Sequence, residues 1–223
     1  MLIRAIRQAV SSGEFYMIPI ALLASAFLVF CIIPLHEYAH AWAAFKMGDD
    51  TPAREGRLTM NPMAHVDPVG GIMIALIGIG WGKPVTSNPS NYRNRKWGNI
   101  FVAAAGPLSN ILAGWLFIFL MTLTNQFATG LFGQCASLFF YYAGWVCVQL
   151  GILNLFPIPL FDGYTILSQF LSNKARYWVM ENQQIISIII IVLLFTNVLT
   201  TPIIFLTEKL TRFFFWVSAL PFA

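Results

Sequence analysis

The stretch Cys31–Trp42, CIIPLHEYAHAW, sets two histidines and a glutamate directly behind a run of residues that belongs in hydrocarbon. Ionisable side chains at membrane depth are costly, so each is a candidate functional group. On a helix, positions four apart share one face. His36 and His40 can therefore turn their rings toward one point while Glu37 projects beside them.

The surrounding composition places that stretch in a bilayer. Of 223 residues, 58% are hydrophobic and only 10% charged, and mean hydropathy is +0.71. Soluble domains carry about a quarter charged residues, so the chain reads as an integral membrane protein. No hydrophilic block is long enough to fold separately, and one domain is expected over residues 1–223. The net charge of +4 does not point to nucleic acid. The basic residues lie in short connectors between apolar runs, where they orient the spans in the lipid bilayer. Cys31, Cys135 and Cys147 fall inside apolar stretches without CxxC spacing, which implies neither a disulfide framework nor a cysteine metal site. Arg4 and Arg7 precede an apolar run as in a signal peptide, but no cleavage site follows, so the segment is expected to be retained.

A helix needs roughly 20 apolar residues to cross a bilayer. Four runs qualify: 15–47, 100–123, 134–160 and 185–206. The fold class expected is an all-α polytopic membrane protein with about four transmembrane helices. Gly48, Asp49 and Asp50 stop the first helix, residues 1–14 read as an interfacial lead-in, and 207–223 as an interfacial tail. The connector 49–98 is rich in glycine, proline and asparagine. Residues 54–60 and 83–87 read there as short strands, and 69–81 as a re-entrant or interfacial piece, together a small β/re-entrant element. Lys46, Arg54, Arg57, Lys83, Arg93, Arg95 and Lys96 make this connector the cytoplasmic side.

HExxH on a helix is the pattern in which two histidines bind zinc and the glutamate serves as general base to a water. In soluble helices the letters arise by chance, but within a span an unliganded trio is expensive. A catalytic zinc wants a third protein ligand. The spacing leaves two sources: His65 or Asp67 in the connector, and Asp162. Asp162 lies in LNLFPIPLFDGYTIL (Leu153–Leu167), where Pro157 and Pro159 forbid a regular helix and open the backbone at membrane depth. Asn154 in the same segment can donate an amide hydrogen bond to a developing oxyanion.

HEYAH within a span, combined with Asn-x-x-Pro-x-Pro-x-x-Asp-Gly from Asn154 to Gly163, resembles the site-2 protease family of intramembrane zinc metalloproteases. Three further stretches are similar to motifs of its compact bacterial and archaeal branch: GRLTMNPMAHVDPVGG (Gly56–Gly71), GWGKPVTSNP (Gly80–Pro89) and AAAGPLSN (Ala103–Asn110). The resemblance implies a three-span catalytic core without a PDZ or CBS domain. It also implies one Zn2+ per chain held by His36, His40 and Asp162, with Glu37 activating the water and Asn154 steadying the tetrahedral intermediate. The implied partners are membrane-spanning protein substrates such as anti-sigma factors or other signalling proteins, and the implied location is a prokaryotic cell membrane. His65 and Asp67 are left with either a structural or a gating role. Two other function classes compete, a metal transporter and an inactive membrane scaffold. Neither has a use for a general base between two ligands.

Overall fold

The computed structural model describes residues 17–77 and 82–222 throughout and, before them, only positions 6, 10, 11, 13 and 15. The expected lead-in over 1–14 therefore lies largely outside the described residues, as do Gly80 and Trp81 of the connector.

Among the described residues three helices are long and apolar enough to cross a membrane: α1, Met17–Met47; α3, Arg95–Phe127; and α4, Gly130–Leu155. Between the first two lies a short helix, α2, Pro68–Ile77. Beyond α4 come α5, Asp162–Ser168, α6, Asn173–Glu181, α7, Gln183–Phe195, and α8, Thr200–Ala219. The chain is a multi-pass, all-α membrane protein.

α1 is not regular. Pro34 has no N–H to donate to the preceding turn, and directly before it Leu28–Ile32 widens into a π turn whose last bond runs from the Ile33 N–H to the Leu28 carbonyl. Such a widened turn re-aims the residues that follow it, and those residues are His36 and Glu37. The helix closes at Gly48, whose φ of 106° is the left-handed conformation that glycine adopts without strain. At the start of α3, the Asn94 side chain accepts from the Trp97 N–H at 3.1 Å and satisfies one of the open amides. Gly114 and Gly144 let α3 and α4 approach so closely that a Cβ on either would lie 3.1–3.2 Å from the other's carbonyl oxygen. Small-residue contact of this kind holds helices together where lipid removes the hydrophobic drive.

Two of the expected apolar runs are cut short or divided. The third apolar run stops as a helix at Leu155, not at residue 160. Phe156 precedes Pro157 and takes an extended conformation, ψ 133°, as residues before proline do. The fourth run, 185–206, is divided. α7 ends at Phe195, Asn197 turns through a left-handed φ of 63°, and residues 200–206 join the expected interfacial tail in one helix, α8, packed along α3 and α4.

The two short strands do not form. Residues 51–54 make one helical turn, and turns and bends follow to residue 59. Among the described residues the only β-type pairing is an isolated antiparallel bridge between Val66 and Gly82. The reason lies in where the amides of 83–88 go. Lys83 N–H bonds the His65 carbonyl at 2.7 Å, Pro84 has no N–H, Val85 N–H bonds the Glu37 carboxylate at 3.1 Å, and Asn88 N–H bonds Asp49 at 2.6 Å. The segment is extended, but three of its donors are spent on different parts of α1 and the connector rather than on a neighbouring strand.

Candidate metal centre

The π turn and Pro34 aim His36 and His40 at α3, where Gly106 leaves room for them. A Cβ there would stand 2.3 Å from His40 Nε2 and 2.7 Å from His36 Cε1, which no side chain tolerates. Each ring is anchored by its other nitrogen. His40 Nδ1 lies 2.7 Å from the Val102 carbonyl, and that oxygen accepts only, so Nδ1 carries the proton and Nε2 keeps its lone pair. His36 Nδ1 lies 3.1 Å from the Asn110 amide, and Asn110 Oδ1 is buried without another partner. With that oxygen turned to the ring, it accepts the Nδ1 proton, and His36 Nε2 is bared as well.

Asp162 arrives from the other side. The two prolines end α4, Leu160 turns with φ 97°, and α5 begins at Asp162 itself. Gly163 packs so tightly beneath it that a Cβ would meet the Leu155 carbonyl oxygen at 2.2 Å. Asp162 Oδ2 then stands 3.4 Å from His36 Nε2 and 3.3 Å from His40 Nε2, and the two Nε2 atoms are 3.1 Å apart. The three ligand atoms lie within 4.8 Å of one another, and Asp162 Oδ2 is buried without a hydrogen-bond partner. Three lone pairs aimed at one point repel unless a cation sits among them. Two imidazoles and a carboxylate, with an open position toward the cavity, suit Zn2+.

Glu37 and Asn154 face the same cavity, about 650 Å³, which is lined also by Val85, Asn99, Asn110 and Thr165. Glu37 Oε2 receives the Val85 N–H. The Asn154 amide donates to the Leu150 carbonyl one turn back at 2.9 Å, and an amide nitrogen has a second proton to offer.

The other expected candidates are placed elsewhere. His65 is fully buried, with Nε2 2.8 Å from the Thr59 carbonyl. Asp67 Oδ1 accepts the Gly70 N–H at 2.8 Å and caps α2. Neither belongs to the ligand cluster. Sequence reasoning did not find the roles of Gly106, the Val102 carbonyl or the Val85 amide, and it read Asn110 only as the end of the AAAGPLSN stretch. The spacing of Gly106 and Asn110, four apart on one face of α3, was the available signal.

Asp49, just beyond α1, was read only as part of a helix stop. It is fully buried, yet it accepts from Thr51 Oγ1 at 2.6 Å, Asn88 N at 2.6 Å and Asn91 Nδ2 at 2.8 Å. Burial alone would push its carboxyl up, but the Thr51 hydroxyl and the Asn88 and Asn91 amides hold it below the ordinary value. Asp49 thereby ties the far end of the extended segment to the end of α1.

Residues 126–197 match Peptidase family M50. YwhC of Bacillus subtilis is 34% identical over 145 residues, covering 64% of this chain and 66% of that protein. Rip2 of Mycolicibacterium smegmatis is 31% identical over 173 residues, covering 74% of this chain and 64% of its own length. Both relatives are provisionally named zinc metalloproteases. The chain spans just under two thirds of their length. No solved structure gives a significant match. Residues 126–197 thus carry a peptidase family M50 (site-2 protease) region, and the chain is homologous to these zinc metalloproteases. Zinc is the metal of this kinship, and the two histidines and the aspartate fit it.

Proposed function

We propose that this protein is an intramembrane zinc endopeptidase that hydrolyses peptide bonds in or near the spans of membrane-anchored proteins. One observation carries the reading: two histidines on α1 and an aspartate from a proline-broken loop converge beside a glutamate, in a cavity enclosed by spanning helices. His36, His40 and Asp162 hold the metal. When bound, zinc supplies Lewis-acid polarisation and makes a water acidic enough to act near neutral pH. Glu37 takes that water's proton and returns it to the leaving amine. The Val85 N–H fixes the orientation of its carboxylate, so the proton is received at a defined position. The second amide proton of Asn154 is offered to the oxygen that gains charge.

A spanning helix shields its carbonyls, so the substrate must be opened before it reacts. The extended segment 82–88 beside the site supports pairing with an unwound stretch. The amide of Thr86, which has no partner among the described residues, is the donor free for it. The Val85 amide does not take part in that pairing, because it already serves Glu37. The substrates fitting this reading are single-span signalling proteins such as anti-sigma factors. The connector faces the cytoplasm of a prokaryotic cell.

The test compares wild type with Glu37→Gln and Asp162→Asn in lipid, measuring bound zinc and cleavage of a tagged model span. Glu37→Gln keeps its zinc and loses at least about a hundredfold in cleavage rate, whereas Asp162→Asn loses much of both. A Glu37→Gln protein that cleaves at the wild-type rate overturns the mechanism.

A further inference from the structure

α8 presents charge to the wrong solvent. Its inner seam, Ile203, Thr207, Thr211 and Ser218, is buried against α3 and α4. The helix runs alongside the second half of α3. Lys209 and Leu210 line a groove of about 670 Å³ with Ile111 and Ile152, and Phe222, just past the end of α8, meets Phe127 with ring centroids 6.0 Å apart. Ile111 is the middle residue of the 33-residue α3. Glu208, Lys209 and Arg212 thus lie near the middle of a spanning helix, at the level of Asn110 and the metal centre. All three are exposed.

The outward stripe reads Phe205, Lys209, Arg212 and Trp216, at intervals that keep one face of the helix. Exposed aromatics need no cover in lipid. Charges at that depth do, since lipid-facing ionisable residues are rare and pair with something. No ion pair joins Glu208, Lys209 or Arg212 to another described residue. Lys209 Nζ merely stands over the Phe205 ring, 5.4 Å from its centroid.

The geometry points to this face as the contact between two copies of the chain. The patch carries its own complement: a carboxylate at Glu208 and a guanidinium at Arg212, one turn apart. A twofold axis along the membrane normal sets two such stripes side by side and parallel. Glu208 of each copy then meets Arg212 of the other, an isologous contact of four alternating charges. An intrahelical Glu208–Arg212 pair is the competing arrangement, but it leaves the pair facing lipid. The dimer does not depend on the proposed activity.

The experiment co-expresses two differently tagged full-length copies, extracts them with surrounding lipid and measures co-purification, with bound zinc as the control for folding. Wild-type copies co-purify. Glu208→Arg in both copies, or Arg212→Glu in both, lowers co-purification at least about tenfold through like-charge contact. Pairing a Glu208→Arg copy with an Arg212→Glu copy brings it back, because the swapped charges meet only across the interface. Zinc content is unchanged throughout. The proposal is overturned if wild-type copies do not co-purify, or if the mixed pair does no better than either variant alone. It is equally overturned if the double variant in one chain restores co-purification while the mixed pair does not.

Discussion

The metal centre and the outer face of α8 hold ionisable residues at similar depth, and they treat them oppositely. At the centre, each group has a defined partner: His40 the Val102 carbonyl, His36 the Asn110 amide, Glu37 the Val85 N–H. What remains unsatisfied is the set of three ligand atoms, all pointing at one place. On α8, Glu208, Lys209 and Arg212 point away from the fold, with no ion pair to a described residue. An inward deficit of that kind is filled by an ion, whereas an outward one is filled by another protein surface. The difference is a matter of packing, since both regions obey the same electrostatic penalty.

The sharpest way to break the contrast is to remove the space on which the centre depends. Gly106→Ala puts a methyl where His40 Nε2 stands, 2.3 Å away. It should reduce bound zinc to background and abolish cleavage, while the co-purification of two copies through α8 is unchanged. Metal analysis and pull-down on the same preparation check both halves.

A smaller effect is expected from Asn110→Ala, which leaves the ligands in place but frees the His36 ring to turn and to choose its tautomer. Loss of such an orienting partner costs roughly 10–100-fold in metal affinity. Competition with a chelator of known strength measures it. An unchanged affinity would mean that α3 packing alone holds the ring.

The smallest effect concerns Asp49, a buried acid whose partners are complete. Its carboxyl is held below the ordinary value, so the stability it contributes is fully present above about pH 4, the unfolded value. It fades as pH falls below that toward the lower folded value. Asp49→Asn should therefore lower thermal stability at neutral pH and flatten the loss on acidification. Thermal unfolding in lipid between pH 7 and acid conditions reads the difference. An identical acid profile in the variant would assign that loss to other carboxylates.

Much of the site was legible in the sequence because its signals are local. HEYAH needs only the helical period to bring two rings together. Pro157 and Pro159 announce that Asp162 cannot lie on a helix continuous with α4. The boundaries were less legible. The proline rule that opened the chain at Asp162 also ended α4 at Leu155, and Asn197 divided an apolar run in which Thr196–Asn197 and Thr200–Pro202 were the local signal. The strands expected in the connector failed for a non-local reason: the Lys83, Val85 and Asn88 donors are taken by groups from Glu37 to His65 that no pattern within the segment reveals.

By itself, then, the sequence determined a multi-pass α-helical membrane protein carrying two histidines and a glutamate in the HExxH pattern, since hydropathy and short-range spacing suffice for both. The tertiary structure brought Asp162, which the family resemblance had implied, to the two histidines while leaving His65 and Asp67 elsewhere, and it alone decided which carbonyl and amide orient the two rings and that Gly106 is the floor beneath them. Those choices depend on contacts between residues more than sixty positions apart in the chain, and only packed helices bring such residues within hydrogen-bonding distance.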